Sequence, residues 1–556
     1  MSRLLGRGLP PGLLHAAARP SFSVLTLVAL VIALTIATPL LGLIANVFRP
    51  DEQGVWAHLA ETVLTDYVVN SVALAAGAGL GAMLLGTGAA WLVSMHRFPG
   101  SRPLEWLLLL PLAMPTYVIA YAYTDLLQYA GPVQTALRAA FGWERGDYWF
   151  PEVRSLGGAI VVFSLVFYPY VYILARAAFL ERAAGMVEAA RSLGLGPAAA
   201  FARVALPLAR PALVGGTALV VMETLAEFGA VAYFGVPTFT TGIYRAWYAF
   251  GDPVAAAQLA AALLGIVLLA LTLERMSRGR ARFHDSGARR AEPAPLHGAR
   301  GALAGFACLL PLAGGFLIPA GLLLDMAWTA GDAQLGAKYL RLAGNSLTLA
   351  LLASFLTVAL ALLLAYAARL HPGWLTRGAN RVASLGYATP GTVIAVAVLI
   401  PLSAVDNALD AWMRARFGVS TGLLLTGGIA ALLYAYVVRF LSVALQGVES
   451  SLARIRPGMD EAARSLGAGR RGLLLRVHVP MLRGGLAAAA LLVFVDVMKE
   501  LPATIVMRPF NFDTLATQVF VLAADERLAE AATPSLAIVA VGLIPVVLLA
   551  RTLRRR

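Results

Sequence analysis

Twelve long apolar stretches, separated by polar segments, constrain the fold of this chain more than any other feature of its sequence. A helix needs roughly 20 mostly apolar residues to cross the hydrocarbon core of a bilayer. Backbone polar groups in lipid must be satisfied within their own segment, and such long stretches fit helices rather than barrel strands. The sequence therefore predicts an all-α membrane protein of about twelve transmembrane helices. The predicted spans are near 22–48, 68–95, 104–130, 157–181, 211–236, 254–273, 303–328, 344–368, 383–405, 421–446, 484–507 and 534–550.

Composition and charge placement support a lipid environment. Of the 556 residues, 59% are hydrophobic and 13% are charged, which is outside the range of soluble globular proteins. The net charge of +14 raises nucleic acid as a possible ligand, but Lys and Arg are concentrated at the termini, in every second loop and in one central segment. This alternation is the positive-inside pattern. It predicts two cytoplasmic termini, a partner in the lipid bilayer and no nucleic acid.

A polar segment of the chain occurs twice. Glu188-Ala-Ala-Arg-Ser-Leu-Gly194 recurs unchanged as Glu461-Ala-Ala-Arg-Ser-Leu-Gly467, 273 residues later. After nine further residues, the copies end in Val204-Ala-Leu-Pro207 and Val477-His-Val-Pro480. Weaker pairs are Asn70-Ser71 with Asn345-Ser346 and Pro115 with Pro390, both at an offset of 275, and Phe239-Thr-Thr241 with Phe512-Asp-Thr514 at 273.

These repeats predict two tandem six-helix units in the same orientation, because six is an even number of crossings. The predicted first half is 1–274, with its repeated polar loop near 182–210. A basic, proline-containing segment at 275–302 has no apolar period and reads as a cytoplasmic linker. The predicted second half is 303–556, with its polar loop near 449–483.

Each polar loop is predicted to form two short helices joined by a glycine turn. Gly194 and Gly467 supply the turn, and Pro197 suits the first position of the second helix. Pro207 is expected to end that helix in the first copy, together with Pro211. Glu188 is expected near the amino terminus of the first helix, where the helix dipole favours a carboxylate.

The repeated loop resembles the EAA loop of ABC-importer permeases, and the chain resembles fused permeases of the type I, MetI-like fold. The resemblance implies that both loops contact a cytoplasmic ABC ATPase. The implied ATPase-coupling residues are Glu188, Ala189, Ala190, Gly194, Pro207, Glu461, Ala462, Ala463, Gly467 and Pro480.

The chain has no phosphate-binding loop of its own, because the nearest approach, Gly331 to Tyr339, has an extra residue before its lysine and lacks the hydroxyl. We therefore expect a transport subunit rather than an enzyme, which binds no cofactor and works with two copies of a separate ATPase that uses ATP and Mg.

Four further segments are similar to ferric-iron permeases: Glu223 to Gly235, Phe239 to Trp247, Met498 to Pro502 and Arg508 to Ala516. This resemblance implies import of Fe³⁺ from a periplasmic binding protein across the bacterial inner membrane. Thiamine and polyamine permeases share the architecture and stay open as alternatives. A twelve-helix secondary transporter is the main competitor from another class, and a membrane scaffold or receptor is a third.

Carboxylates occur within the predicted spans at equivalent positions of the two halves. Glu223 and Glu227 are four residues apart in the fifth span, and an offset of 273 gives Asp496 and Glu500 in the eleventh. We expect each pair to share one helical face. Because hard cations prefer oxygen ligands, the four acids are candidates for a translocation pathway with transient contacts and no stable metal site. The alternative is that they hold helices together, with Lys499 as a partner.

Tyrosine side chains are a second candidate set for the pathway. Tyr117, Tyr121 and Tyr123 lie near the end of the third span and would add phenolic oxygens to an outer vestibule, although interfacial anchoring is the commoner role. The histidines, including His96 and His478, show no metal-ligand spacing and are assigned no chemistry.

Overall fold

The computed structural model describes residues 23–50, 54–180, 184–278, 293–329 and 336–554. Within these ranges, helices form nearly all of the regular structure, and the one strand pair is a parallel bridge between β1 (His96–Arg97) and β2 (Ala294–Pro295). The prediction of an all-α membrane protein is confirmed. Half of the linker and most of the Gly331 to Tyr339 segment are outside the described residues, and the boundaries at 274 and 302 stay a prediction.

The helices follow one another in the first half as α1 Val24–Val47, α2 Val55–Thr62, α3 Leu64–Met95, α4 Ser101–Leu107, α5 Thr116–Leu127, α6 Pro132–Phe141, α7 Leu156–Ala178, α8 Ala184–Ser192, α9 Pro197–Ala200, α10 Leu206–Ala226, α11 Gly229–Tyr233, α12 Phe239–Tyr248 and α13 Pro253–Arg278. In the second half they are α14 Gly298–Leu312, α15 Ile318–Thr329, α16 Ala337–Leu370, α17 Trp374–Ala383, α18 Gly391–Phe417, α19 Ile429–Leu452, α20 Pro457–Ser465, α21 Arg470–Gly472, α22 Val479–Met498, α23 Pro502–Met507, α24 Leu515–Ala524 and α25 Leu528–Arg554.

The described residues contain 11 helices that are long and apolar enough to cross a membrane. The pair Ser101–Ala113 and Thr116–Phe141, which is bent by 93°, brings the number to 12 if it is one broken span. This agrees with the prediction of about twelve spans, and the helices follow the predicted order. The fifth and eleventh spans end earlier than predicted, because their helices end at Ala226 and Met498 rather than at 236 and 507.

Pro207 and Pro211, which were expected to end the second helix of the first loop, lie inside a continuous helix instead. Pro197–Ala226 is one 30-residue span, so the prediction for Pro207 and Pro211 is wrong. A single π-helical turn precedes proline at Phe201–Ala205, Ala313–Leu317 and Leu473–His478. The residue before each proline, Leu206, Ile318 or Val479, donates its N–H five residues back. The wider turn accommodates the ring and missing donor of proline, which would otherwise break the helix.

Helices α3, α7 and α10 pack against one another in the first half. A Cβ atom on Gly216 of α10 would lie 2.8 Å from Cα of Val171 in α7, so these helices approach at backbone distance. Such small-residue contacts are the usual means of packing helices in lipid. By residue contacts the chain forms two compact units, each drawn from both sequence halves. The smaller contains described residues up to Leu41 with Leu351–Tyr387 and Tyr436–Phe494, and the larger contains the rest.

The Asn-Ser pairs hold the loop before α12 and the equivalent loop before α24. The Asn70 amide donates to the carbonyl of Pro237 at 3.0 Å, and that of Asn345 donates to the carbonyl of Asp513 at 2.9 Å. The adjacent serine hydroxyls accept the backbone N–H groups of Phe239 and Leu515. The equivalent residues are therefore 276 apart in this region, and the predicted pairing of Phe239 with Phe512 at 273 is wrong because the second half has three more residues here.

Candidate functional site

The two polar loops form turns of the same backbone geometry, here called the first coupling turn (184–205) and the second coupling turn (457–478). In the first, Gly194 has φ of 90° and Leu195 N–H donates to Ala190 O at 3.1 Å. In the second, Gly467 has φ of 85° and Ala468 N–H donates to Ala463 O at 3.0 Å. This glycine-terminated arrangement caps the carbonyls at the helix end. The predicted helix–glycine–helix geometry is present in both copies.

Both turns expose apolar tips. Leu193 and Leu466, which occupy the same place in the two copies, are 85% and 88% exposed. Glu188 and Glu461 are exposed as well. Exposed leucines on a rigid turn are typical of a surface that a partner covers. Glu188 and Glu461 are each the fifth residue of their described helix, so Glu188 is not in the first turn where it was expected.

Aromatic packing surrounds the base of the first coupling turn. The Trp91 ring lies 4.8 Å from that of Phe201 and 5.5 Å from that of Phe179, centre to centre. Val187 of α8 is buried. A cavity of about 450 Å³ separates α8 from the end of α3, where it is lined by His96, Glu188 and Arg191 among others. Burial and the nearby Arg191 guanidinium lower the pKa of His96.

Buried charges hold the second coupling turn. Arg369, near the end of α16, donates from Nε to Asp460 Oδ2 at 2.8 Å and from Nη2 to Asp460 Oδ1 at 3.0 Å. His478 Nε2 lies 2.9 Å from Asp460 Oδ1, and its ring meets that of Tyr366 edge to face at 5.6 Å. Burial alone would raise the pKa of Asp460, but hydrogen bonds from Arg369 and His478 outweigh it and lower that pKa.

These three residues were not predicted as site residues, and His478 was assigned no role. The available signal was a difference between the copies. Asp460 stands immediately before the repeated heptapeptide, where the first copy has Val187. A charged residue at a position that is apolar in the other copy indicates a contact present in only one half. His478 stands opposite Ala205 and differs in the same way, whereas Arg369 lies outside the repeated loops.

Glu227 and Glu500 lie at breaks between helices rather than on helical faces. Glu227 has extended backbone after the end of α10, and Glu500 follows the end of α22. The expectation that each shares one helical face with Glu223 or Asp496 is therefore wrong. Glu227 Oε1 accepts Ala230 N–H at 3.0 Å, and Glu500 Oε1 accepts Ala503 N–H at 2.8 Å. Both carboxylates thus cap the amino termini of the short helices α11 and α23, where anions are favoured.

The carboxylates also accept hydroxyl groups. Thr116 Oγ1 donates to Glu227 Oε2 at 2.6 Å, and Thr504 Oγ1 donates to Glu500 Oε2. Lys499 forms an ion pair with Asp496 at 3.1 Å, as the structural alternative expected. Ala226 stands in the place of Lys499 in the first half, so this lysine ion pair belongs to the second half. These contacts give the four acids unequal environments.

Tyr117 and Tyr121 are buried beside the capping carboxylates. The Tyr117 phenol interacts electrostatically with both Glu227 and Glu500, and its ring centre is 5.9 Å from that of Tyr121. Within the described part of the chain neither hydroxyl has a hydrogen-bond partner. Tyr123 differs, since its hydroxyl donates to Gly314 O at 2.5 Å. The structure therefore brings Tyr117, Glu227 and Glu500 together, and no contact of the described residues joins Asp496 to them.

Comparison with known proteins agrees with this architecture. Residues 82–278 match the family model described as binding-protein-dependent transport system inner membrane component. Over 548 residues the chain is 27% identical to the Fe(3+)-transport system permease protein FbpB 2 of Haemophilus influenzae, covering 96% of this chain and 98% of that protein. It is also 31% identical over 233 residues to the molybdenum transport system permease protein ModB of Escherichia coli, covering 40% of this chain and 96% of ModB. The chain therefore belongs to the binding-protein-dependent transport system inner membrane components, the permeases of ABC importers.

Proposed function

We propose that this chain is the permease of an ATP-driven importer that carries ferric iron, delivered by a periplasmic binding protein, across the inner membrane. The observation that carries the proposal is the similarity of nearly the whole fused chain to a ferric-iron permease. The pair of coupling turns supports ATP as the energy source, because each presents an exposed leucine on the same glycine-terminated turn.

The proposed partners are two copies of a cytoplasmic ABC ATPase, one for each coupling turn. ATP and Mg are used by these subunits and no cofactor is bound by the permease. When ATP draws the two ATPase subunits together, they displace the coupling turns, and the spans open toward the outer side. Hydrolysis then resets the bundle. Such alternating access requires a helix bundle with two conformations, and the ATPase controls the balance between them. In this proposal both termini of the permease are in the cytoplasm.

We further propose that Tyr117, Tyr121, Glu227 and Glu500 line the path of the cation. Carboxylate and phenolic oxygens suit a hard trivalent ion. Glu223 and Asp496, on the preceding helices, are the second pair of acids in this proposal. The name of ModB suggests molybdenum, but the carboxylates of Glu227 and of the buried Glu500 would repel it as an oxyanion. Thiamine and polyamines are cations as well, so the carboxylates do not distinguish them from Fe³⁺ and only a transport assay can.

Reconstitution tests the substrate. The permease is purified with its ATPase, placed in liposomes with a loaded binding protein, and assayed for uptake of Fe³⁺, thiamine and polyamine. We expect ATP-dependent uptake of Fe³⁺ alone. Uptake of another solute would replace iron as substrate, and uptake driven by a proton gradient without an ATPase would indicate a secondary transporter.

Two sets of variants test the path. Tyr117→Phe and Tyr121→Phe remove hydroxyls that have no hydrogen-bond partner among the described residues, so a fall in uptake would report transport rather than folding. Glu227→Gln combined with Glu500→Gln keeps an acceptor for the helix caps and is expected to abolish uptake with the ATPase still bound. Glu526→Gln, at an exposed ion pair with Arg154, is the matched control. Normal uptake by the double variant contradicts this path.

A further inference from the structure

Arg369 connects three segments of the second half through one partly buried guanidinium. Besides its two bonds to Asp460, it donates from Nη1 to Leu452 O at 2.7 Å and from Nη2 to Ile455 O at 2.9 Å. Those carbonyls are at and just beyond the end of α19. The forked, planar guanidinium fixes direction as well as distance, which an ammonium group would not. The end of α16, the end of α19 and the start of α20 are thus held in one geometry.

Asp460 extends this connection to a fourth segment. Its Oδ1 atom is shared between Arg369 Nη2 and His478 Nε2, and His478 is the last residue of the π-helical turn that leads into α22. Asp460 is 7% exposed and His478 is 0% exposed. A buried carboxylate in such a position is costly unless paired, so its partners are constrained to move with it.

Among the described residues, the first coupling turn has no equivalent of this network. Counted from the ends of the equivalent helices α3 and α16, Ser94 takes the place of Arg369. At the offset of the repeat, Val187 replaces Asp460 and Ala205 replaces His478. The first turn is therefore positioned by packing and the second by charge.

We propose that Asp460 is a positioning residue that transmits displacement of the second coupling turn to α16 and α22. This inference rests on the proposed function, in which an ATPase moves the turn. The chain between α20 and α21 turns at Gly467, whose backbone is left-handed. The ion pair with Arg369 and the contact with His478 instead join α20 directly to the two spans. Without the Asp460 carboxylate, the second coupling turn would move without displacing α16 and α22.

The test separates ATP hydrolysis from import. Wild-type and variant permeases are purified with the ATPase, reconstituted with ferric-loaded binding protein, and assayed for ATP hydrolysed per Fe³⁺ imported in equal amounts of assembled complex. Asp460→Asn is expected to raise this ratio roughly tenfold, whereas Asp460→Glu, which keeps the charge, stays within about twofold. Glu530→Gln, which removes an exposed ion pair with Arg527, leaves the ratio unchanged.

A wild-type ratio in assembled Asp460→Asn complex overturns the inference. If that variant does not assemble, Arg369→Gln is measured in the same way. An unchanged ratio of ATP hydrolysed per Fe³⁺ imported, in the complex that either variant does form, means that the network has a structural role only. Stimulation of ATP hydrolysis by the binding protein is a second readout that needs no identified solute, and Asp460→Asn is expected to lose it. A wild-type complex that imports none of the three solutes contradicts the proposed substrates instead.

Discussion

The two coupling turns share their exposed surface and differ in what holds them from below. Both have a glycine at φ near 90° and an exposed leucine at the tip. The first is anchored by Trp91 against Phe179 and Phe201, and the second by the pair of Arg369 with Asp460. Sequence identity between the copies therefore marks the surface available to a partner. The anchors beneath the turns differ, because one is aromatic packing and the other is an ion pair.

Arg369→Leu should have the largest effect on this comparison. It leaves Asp460 buried without its cation, and breaking a buried pair costs about 3–5 kcal/mol. Hydrogen exchange measured by mass spectrometry should show faster exchange across 457–478 and unchanged exchange across 184–205. Equal protection of both turns in the variant would mean that the ion pair does not hold the second turn.

Trp91→Ala should loosen the first turn and spare the second. The ring is partly buried, so we expect a loss of about 2–3 kcal/mol from packing and aromatic contact. The same exchange measurement should show the reverse pattern, with faster exchange across 184–205. Because apolar contacts are insensitive to ionic strength, this loss should not change with added salt. An effect that spread equally to 457–478 would contradict separate anchoring.

Gly194→Val and Gly467→Val should have matching effects, because the exposed turn is common to both copies. A β-branched side chain in left-handed backbone costs about 1–2 kcal/mol, although a Cβ at either position meets no atom within 4 Å. Each variant should uncouple ATP hydrolysis from import to the same degree in reconstituted complex. A clear difference between the two would show that the turns do not dock in the same way.

Acid should weaken the second turn through Asp460, by a smaller amount. The pKa of Asp460 is lowered from its ordinary 3.8, so the stability it provides is complete above that value and is lost as the pH falls through the lower, folded-state pKa. Exchange across 457–478, corrected for the intrinsic effect of pH, should rise as the pH falls below 3.8. At the first turn the titrating group is His96, whose pKa is lowered by burial, so loosening of 184–205 by acid should begin at higher pH, below the ordinary value of 6.5. Unchanged exchange across 457–478 below 3.8 would contradict the assignment.

Replacing both charges together should have the smallest effect on stability. Arg369→Met with Asp460→Leu imitates the apolar anchor of the first half, and such replacement of a buried pair is often neutral. Thermal unfolding of the assembled complex should be within a few degrees of wild type. If ATP hydrolysis is nonetheless uncoupled from import, the two charges are needed to transmit movement of the turn and not for stability. A double variant as unstable as Arg369→Leu alone would show that packing cannot replace this pair.

Helix positions were predictable from sequence because the apolar length needed to cross lipid is fixed. The glycine turns were predictable too, since Gly194 and Gly467 each end a copy of the repeated heptapeptide. The ends of α10 and α22 were not, because an apolar run does not show where a chain turns back within the membrane. Glu227 and Glu500 were thus found as residues but misplaced on helical faces.

The sequence by itself determined the class of this protein: about twelve apolar spans, a duplication and a repeated polar motif all follow from local composition and spacing. Only the tertiary structure decided which side chains meet. Arg369 and Asp460 are 91 residues apart and meet because two helices end side by side. Tyr117 comes beside Glu227 and Glu500 in the same way. Hydropathy can be read from neighbouring residues in the sequence. Ion pairs and helix caps depend on distances between atoms of separate segments, which are set only when the chain folds.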